Sequence, residues 1–217
     1  MATYLELQTR VIDLINRTDC TTALAKQFIQ DAQRKAQRGL RLPSLEKVMQ
    51  IVVGTTTTTQ YNSGAGVVII PNDFIEMVYM YTSQGVLNRV PLTRFIELNS
   101  ELTATGTPQY YTRIQNTFNL KPIPTTGTQI DIVYQGEDDV LVTDTSTNTF
   151  STVAPDLLVY GACVYAADYF NDERKGTFQS MYDGIYTDVT NLVTDAESLT
   201  VDAQVQPSIQ FELDIIN

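Results

Sequence analysis

Two clusters of carboxylates are the residues best suited by type to do chemistry in this chain: Asp172-Glu173 and Glu137-Asp138-Asp139. General acid–base work needs two carboxylates facing each other across a cleft, with pKa values driven apart. Neighbouring acids in one loop serve more simply as a solvated turn or as the acidic start of a helix. Calcium would want ligands spaced as in DxDxDG, which EDD lacks. The chain has no histidine, which excludes Ser-His-Asp and Cys-His catalysis together with His-based zinc sites. No GxxxxGKS/T or GxGxxG phosphate cradle is present. Cys20 and Cys163 stand far apart without metal or redox spacing, and read as free thiols of a reducing compartment. The expectation is no enzyme, no metal and no cofactor.

Other side chains could bind rather than react. Tyr110, Tyr111 and Phe118 could form a sugar-stacking or nucleobase platform, although core packing is the commoner use of such residues. Arg34, Arg38 and Arg41 recur at one helical face. They suit a solvated face, pairing with an acidic helix of the same subunit, pairing with a neighbouring copy, or facing DNA in a channel. Asp188 and Asp195 are the acids set against them. The net charge of −11 is unevenly placed: residues 1–45 hold seven Lys/Arg against four Asp/Glu, and residues 136–217 hold two against fifteen. Such a chain should not grip nucleic acid, because grip depends on cations releasing phosphate counterions. Its polarity invites contact between unlike ends, within or between chains.

The final residues carry the most specific pattern. Ile209, Phe211, Leu213 and Ile215 alternate with Gln210, Glu212 and Asp214 behind Val205 and Pro207. A strand with four large apolar residues on one face must bury them, at roughly 1.5–3 kcal/mol each. It can do so on its own sheet or by strand addition to a partner.

The elements that position these groups follow from periodicity. Thr3-Tyr-Leu-Glu6 is a capping box opening a helix to about Arg17, with Tyr4, Leu7, Val11, Leu14 and Ile15 as its apolar stripe. A second helix runs from about Thr22 to Arg41 and is stopped by Pro43. Segments 47–53, 66–70, 74–81, 109–114, 117–122 and 129–134 read as strands, with a tight turn at Gln115-Asn116 and a short helix around Leu92–Leu102. Ile130, Ile132 and Tyr134 alternate with polar neighbours, which predicts one wet face. Residues 54–66 read as a long flexible hairpin tip or loop. Pro155 opens a helix that is apolar almost all round and therefore enclosed, and a last helix follows NDERKG. The longest apolar run, Leu157–Ala167, is too short to cross a bilayer, and no secretory signal opens the chain. The expected fold is α+β: a helical bundle lobe drawn from both chain ends (residues 1–45 and 154–199), an inserted antiparallel β-rich lobe (46–135), an acidic Thr-rich connection (136–153) and an extended C-terminal docking tail (200–217).

An ordered series of segments then carries a family likeness: LINRTDCTTALAKQFIQDAQRKAQRGLRL, IPNDFIEMVYMY, GTPQYYTRIQNTFNLKPIP, IVYQGEDDVL and APDLLVYGACVYAADYFNDER. Over most of residues 5–175 this series resembles the head-to-tail adaptor (connector) proteins of short-tailed bacteriophages. Its second helix is richer in Gln and Lys than the Glu-containing version expected, and the stretch after Ala196 matches no known pattern. The resemblance implies a structural virion protein: a ring of identical subunits, usually twelve, beneath the portal. Such a ring extends the DNA exit channel and receives tail or nozzle proteins. It also implies assembly in the host cytoplasm, residence at the head-tail interface, passage of genomic DNA without sequence-specific binding, and no membrane. In that setting Arg34, Arg38, Arg41, Asp188 and Asp195 would pair between subunits, and Val205, Pro207, Ile209, Phe211, Leu213 and Ile215 would dock on the portal or a neighbour. The alternative is a carbohydrate- or surface-binding virion module reading its ligand through Tyr110, Tyr111 and Phe118.

Overall fold

Thr3 opens the first helix as the sequence predicts. In the computed structural model, which describes residues 1–54, 61–62, 66–101 and 105–201 (for 61–62, 99–101 and 195–201 the backbone alone), the Glu6 N–H donates to Thr3 Oγ1 at 3.3 Å. The Thr3 N–H donates to Glu6 Oε2 at 2.9 Å, which completes the capping box. Helix α1 (Tyr4–Ile15) ends at Asn16, whose φ of 50° lies in the left-handed region that asparagine tolerates. Helix α2 (Thr22–Gly39) starts on the Thr21 hydroxyl, and a 3-10 turn at Pro43–Leu45 leads into the insertion.

The inserted lobe is built from two main sheets. Its elements in chain order are β1 (Glu46–Val52), β2 (Tyr61–Asn62), β3 (Val67–Ile69), β4 (Phe74–Thr82), β5 (Gly85–Val86), β6 (Asn88–Arg89), α3 (Leu92–Glu101), β7 (Thr105–Gly106), β8 (Tyr110–Ile114), β9 (Thr117–Lys121), β10 (Ile123–Pro124) and β11 (Gln129–Gly136). One sheet has the order β1-β11-β4-β5 and the other β2-β3-β9-β8-β6. Pairing is antiparallel as expected, except for β6 with β8 and β10 with β7. Ile51, Ile130, Ile132, Met80, Val68, Phe118 and Leu120 fill the space between the sheets. Of the expected hairpin tip, Tyr61–Asn62 forms β2 against β3, and residues 55–60 and 63–65 lie outside the described residues. The polar face of β11 is less wet than its alternation predicts. Asp131 is buried, accepting from Gln50 Nε2 at 3.0 Å and Gln129 Nε2 at 2.8 Å.

The chain then returns to the first two helices. Helix α4 (Thr149–Val153) lies within what the sequence reads as an acidic, Thr-rich connection. Helix α5 (Pro155–Tyr169) begins on Pro155 and is buried almost all round, so its predicted enclosure holds. It runs through a core shared with Leu7, Val11 and Ile15 of α1 and Ala25, Phe28, Ile29, Ala32 and Ala36 of α2. Gly161 sets how closely α2, α5 and α6 (Lys175–Val201) approach. A Cβ there would sit 2.9 Å from Ala32 Cβ and 3.1 Å from Tyr182 Cε2. The architecture is therefore α+β, with one core from both chain ends and a second core in the insertion.

Polar contacts brace the base of the insertion where it meets the connection. Lys47 Nζ donates to Asp73 Oδ2 at 2.7 Å and to the Glu137 carbonyl at 2.9 Å, while Tyr134 Oη donates to Asp73 Oδ1 at 3.1 Å. Burial pushes Asp73 up, but the Lys47 and Tyr134 hydrogen bonds outweigh it and leave the carboxyl below its usual range. Burial and the Asp73 charge push the Tyr134 phenol up to about 12.

Candidate functional site

The two carboxylate clusters serve the fold. Asp138 is buried: Oδ1 accepts from the Thr149 N–H at 3.2 Å and Oδ2 from the Phe150 N–H at 3.0 Å, so its carboxylate caps α4. The Asp138 and Asp139 carbonyls accept from Gln37 Nε2 at 3.3 Å and Gln33 Nε2 at 3.1 Å, which fastens the connection to α2. Asp172 binds Arg174, whose Nη2 donates to Asp172 Oδ2 at 2.6 Å. The same guanidinium donates to the Ile15 carbonyl at 2.8 Å and the Leu14 carbonyl at 3.1 Å, closing the open end of α1. Among the described residues no group of His, Cys, Asp or Glu is arranged to hold a metal ion.

This grip on Asp172 sets an acid sensitivity. The Arg174 hydrogen bonds hold the Asp172 carboxyl at about 2. A carboxyl lowered on folding contributes stability that is full above its unfolded value, near 3.8, and that disappears as pH falls toward about 2. Asp172→Asn should therefore flatten the loss of thermal stability between about pH 4 and pH 2. Melting temperatures followed down that range test it, and an unchanged slope would refute the assignment.

The aromatic platform is absent. Tyr111 and Phe118 are 6% and 2% exposed, with their rings edge-on at 5.8 Å inside the β-lobe core. Neither can offer a face to a sugar, and Tyr110 alone makes no platform. Sequence alternation could not show this, because β8 and β9 turn these rings toward the opposing sheet.

The charged rows on the helices are sorted by α2 itself. At 3.6 residues per turn, positions two apart stand about 200° apart around a helix. Gln33 and Gln37 accordingly face the 137–140 segment on one flank. Lys35, 4.4 Å over the Tyr182 ring, and Gly39, against the Tyr186 hydroxyl, face α6 on the other. Arg34 and Arg38 project between these flanks and are exposed. Arg34 pairs with Asp31 of its own helix at 3.1 Å, an exposed pair contributing about 0–1 kcal/mol. Arg38 Nε donates to the Arg34 carbonyl at 3.1 Å and has no acidic partner among the described residues. Arg41 is taken up within the chain, by Glu76 at 2.8 Å and by the carbonyls that end α2. Asp188 lies exposed on α6 without an ion pair to any described residue. Asp195 belongs to α6, but its side chain lies outside the described residues, as do Val205, Pro207, Ile209, Phe211, Leu213 and Ile215.

Beside Arg34 and Arg38 opens a groove of about 390 Å³, lined also by Gln33, Gln37, Ile75 and Val140. The two buried glutamines that form its floor are a feature the sequence reading missed. An i, i+4 pair of glutamines on a helix otherwise read as basic was the available signal.

The two acidic clusters are thus committed to holding the α+β fold, and Arg34, Arg38 and Asp188 remain exposed on its helices. The chain belongs to the SU10 adaptor protein family, whose family model matches residues 2–206, and it is a phage virion adaptor protein. The match takes in nearly the whole chain, more than the segments that carry the sequence resemblance, and residues 207–217 lie past it. Comparison with curated proteins returned no match. No helix among the described residues is long and apolar enough to cross a membrane.

Proposed function

We propose that this adaptor acts as a non-catalytic ring of identical subunits, twelve if it follows the resemblance, seated beneath the portal at the head-tail interface. The ring extends the DNA exit channel and offers the surface on which tail or nozzle proteins attach, after assembly in the host cytoplasm. The observation that carries this reading is charge left unmatched among the described residues: there Arg38, beside Arg34 on α2, has no acidic partner, and Asp188 on α6 has no cation. Head-to-tail contact in a closed ring brings together two different faces of each subunit, so such leftover charges can meet across copies. Asp195, next along α6, joins the acidic side of this contact, while Arg41 is already paired with Glu76 in its own subunit and stays out of it. DNA crosses a strongly acidic protein without being held, because few cations are offered to its phosphates.

The tail from Val205 through Pro207, Ile209, Phe211, Leu213 and Ile215 docks on the portal or on a neighbouring subunit. Deleting residues 205–217 should weaken attachment to portal rings roughly a hundredfold or more, given the apolar area withdrawn. The check is native mass measurement and sedimentation of the protein alone and with portal rings. Undiminished attachment with unchanged rings rejects the tail's role, and a protein that stays monomeric with every capsid component rejects the ring.

A further inference from the structure

The groove beside α2 has two unlike walls. Arg34 and Arg38, both exposed, form one; Ile75 and Val140, the latter 62% exposed, form the other. Its floor is already satisfied, since the Gln33 and Gln37 amides donate to the Asp138 and Asp139 carbonyls. Glu137 also lines it, so the cationic side lies toward α2 alone. A groove cationic on one side and apolar on the other fits an extended segment that is acidic on one face and apolar on the other.

This chain carries such a segment. Ile209, Phe211, Leu213 and Ile215 alternate with Gln210, Glu212 and Asp214, and residues 202–217 contain acids but no Lys or Arg. We infer that residues 209–215 of one adaptor copy seat in the α2–β4 groove of the next copy. Their apolar row lies on Ile75 and Val140, and Glu212 and Asp214 face Arg34 and Arg38.

Helix α6 is the reason for a neighbour rather than the same chain. The tail leaves from its end at Val201, and α6 packs on the Lys35–Gly39 flank of α2, whereas the groove opens on the opposite flank. A segment delivered on one flank and received on the other is the geometry of head-to-tail contact, in which each copy gives once and receives once. Residues 202–208, which link Val201 to the seated segment, can span at most about 25 Å when extended. The inference rests on the ring reading and names which surfaces of the subunit close it.

The test uses full-length chains. One copy carries Glu137→Cys, a groove position outside both walls, and a second, tagged copy carries Gln210→Cys. Both native thiols are buried and stay silent. Mixed with portal rings and treated with a short bismaleimide, the two should give a cross-linked heterodimer. Arg34→Glu with Arg38→Glu should reduce it at least tenfold, and adding Glu212→Arg with Asp214→Arg to the tail copy should restore it, which separates lost pairing from lost folding. In a third chain that carries both Glu137→Cys and Gln210→Cys, a link formed only within the chain overturns the inference in favour of self-docking. No link in a sample whose mass shows rings overturns it while leaving the ring reading intact. A sample that stays monomeric with portal present overturns both.

Discussion

Gly161→Leu should lower the melting temperature by about 6–12 °C. The glycine sits where α2, α5 and α6 converge, and a Cβ alone would approach Ala32 Cβ to 2.9 Å and the Tyr182 ring to 3.1 Å. Overpacking a filled core costs typically about 1–3 kcal/mol. Three helices confine this site, so the cost belongs near the upper end, about 3 kcal/mol. For a chain of this length each kcal/mol moves the melting point by roughly 2–4 °C. Gly184 is the control, since a Cβ there meets nothing within 4 Å. Gly184→Ala should leave stability unchanged or raise it by up to about 1 kcal/mol, through helix propensity alone. Thermal unfolding followed by circular dichroism decides the matter, and equal behaviour of the two variants would refute the packing account.

Asp138→Ala should destabilise by a similar amount, about 3 kcal/mol, for an unrelated reason. The carboxylate receives the Thr149, Phe150 and Asp139 N–H groups, and Phe150 beneath it is completely buried. Removing a charged acceptor strands donors that water cannot readily reach, at about 1–3 kcal/mol each. Asp138→Asn keeps one carbonyl oxygen as an acceptor and should cost about half as much. Urea midpoints measure both, and faster hydrogen exchange at the Phe150 amide locates the effect. An exchange rate unchanged at Phe150 would show that the cap is not what holds α4.

These two residues also mark what the sequence could and could not reveal. Local signals were legible: the Thr3–Glu6 box, Pro155 at a helix start, and the all-round apolar surface of α5 each follow from neighbours within a turn or two. The six longest described strands were legible for the same reason, through alternation and β-branched content. The function of Asp138 was not, because its donors lie 11 and 12 residues away in a helix too short to announce itself. Tyr111 and Phe118 misled as a candidate platform because alternation fixes which residues share a face, while only the packing of two sheets decides which face is covered. Arg34, Arg38 and Arg41 look equivalent by spacing. The structure divides them, since Arg41 reaches Glu76 across the lobe junction and Arg38 is left with a backbone carbonyl.

The insertion between α2 and α4 has a consequence for the order in which the molecule is made. The described apolar core of the insertion is drawn wholly from residues 49–134, so that lobe can mature while the C-terminal helices are still being made. Gln33, by contrast, must wait across 106 residues for the Asp139 carbonyl, and the greasy faces of α1 and α2 wait longer still for α5. During synthesis the nascent N-terminal hairpin is therefore the portion most in need of chaperone shelter.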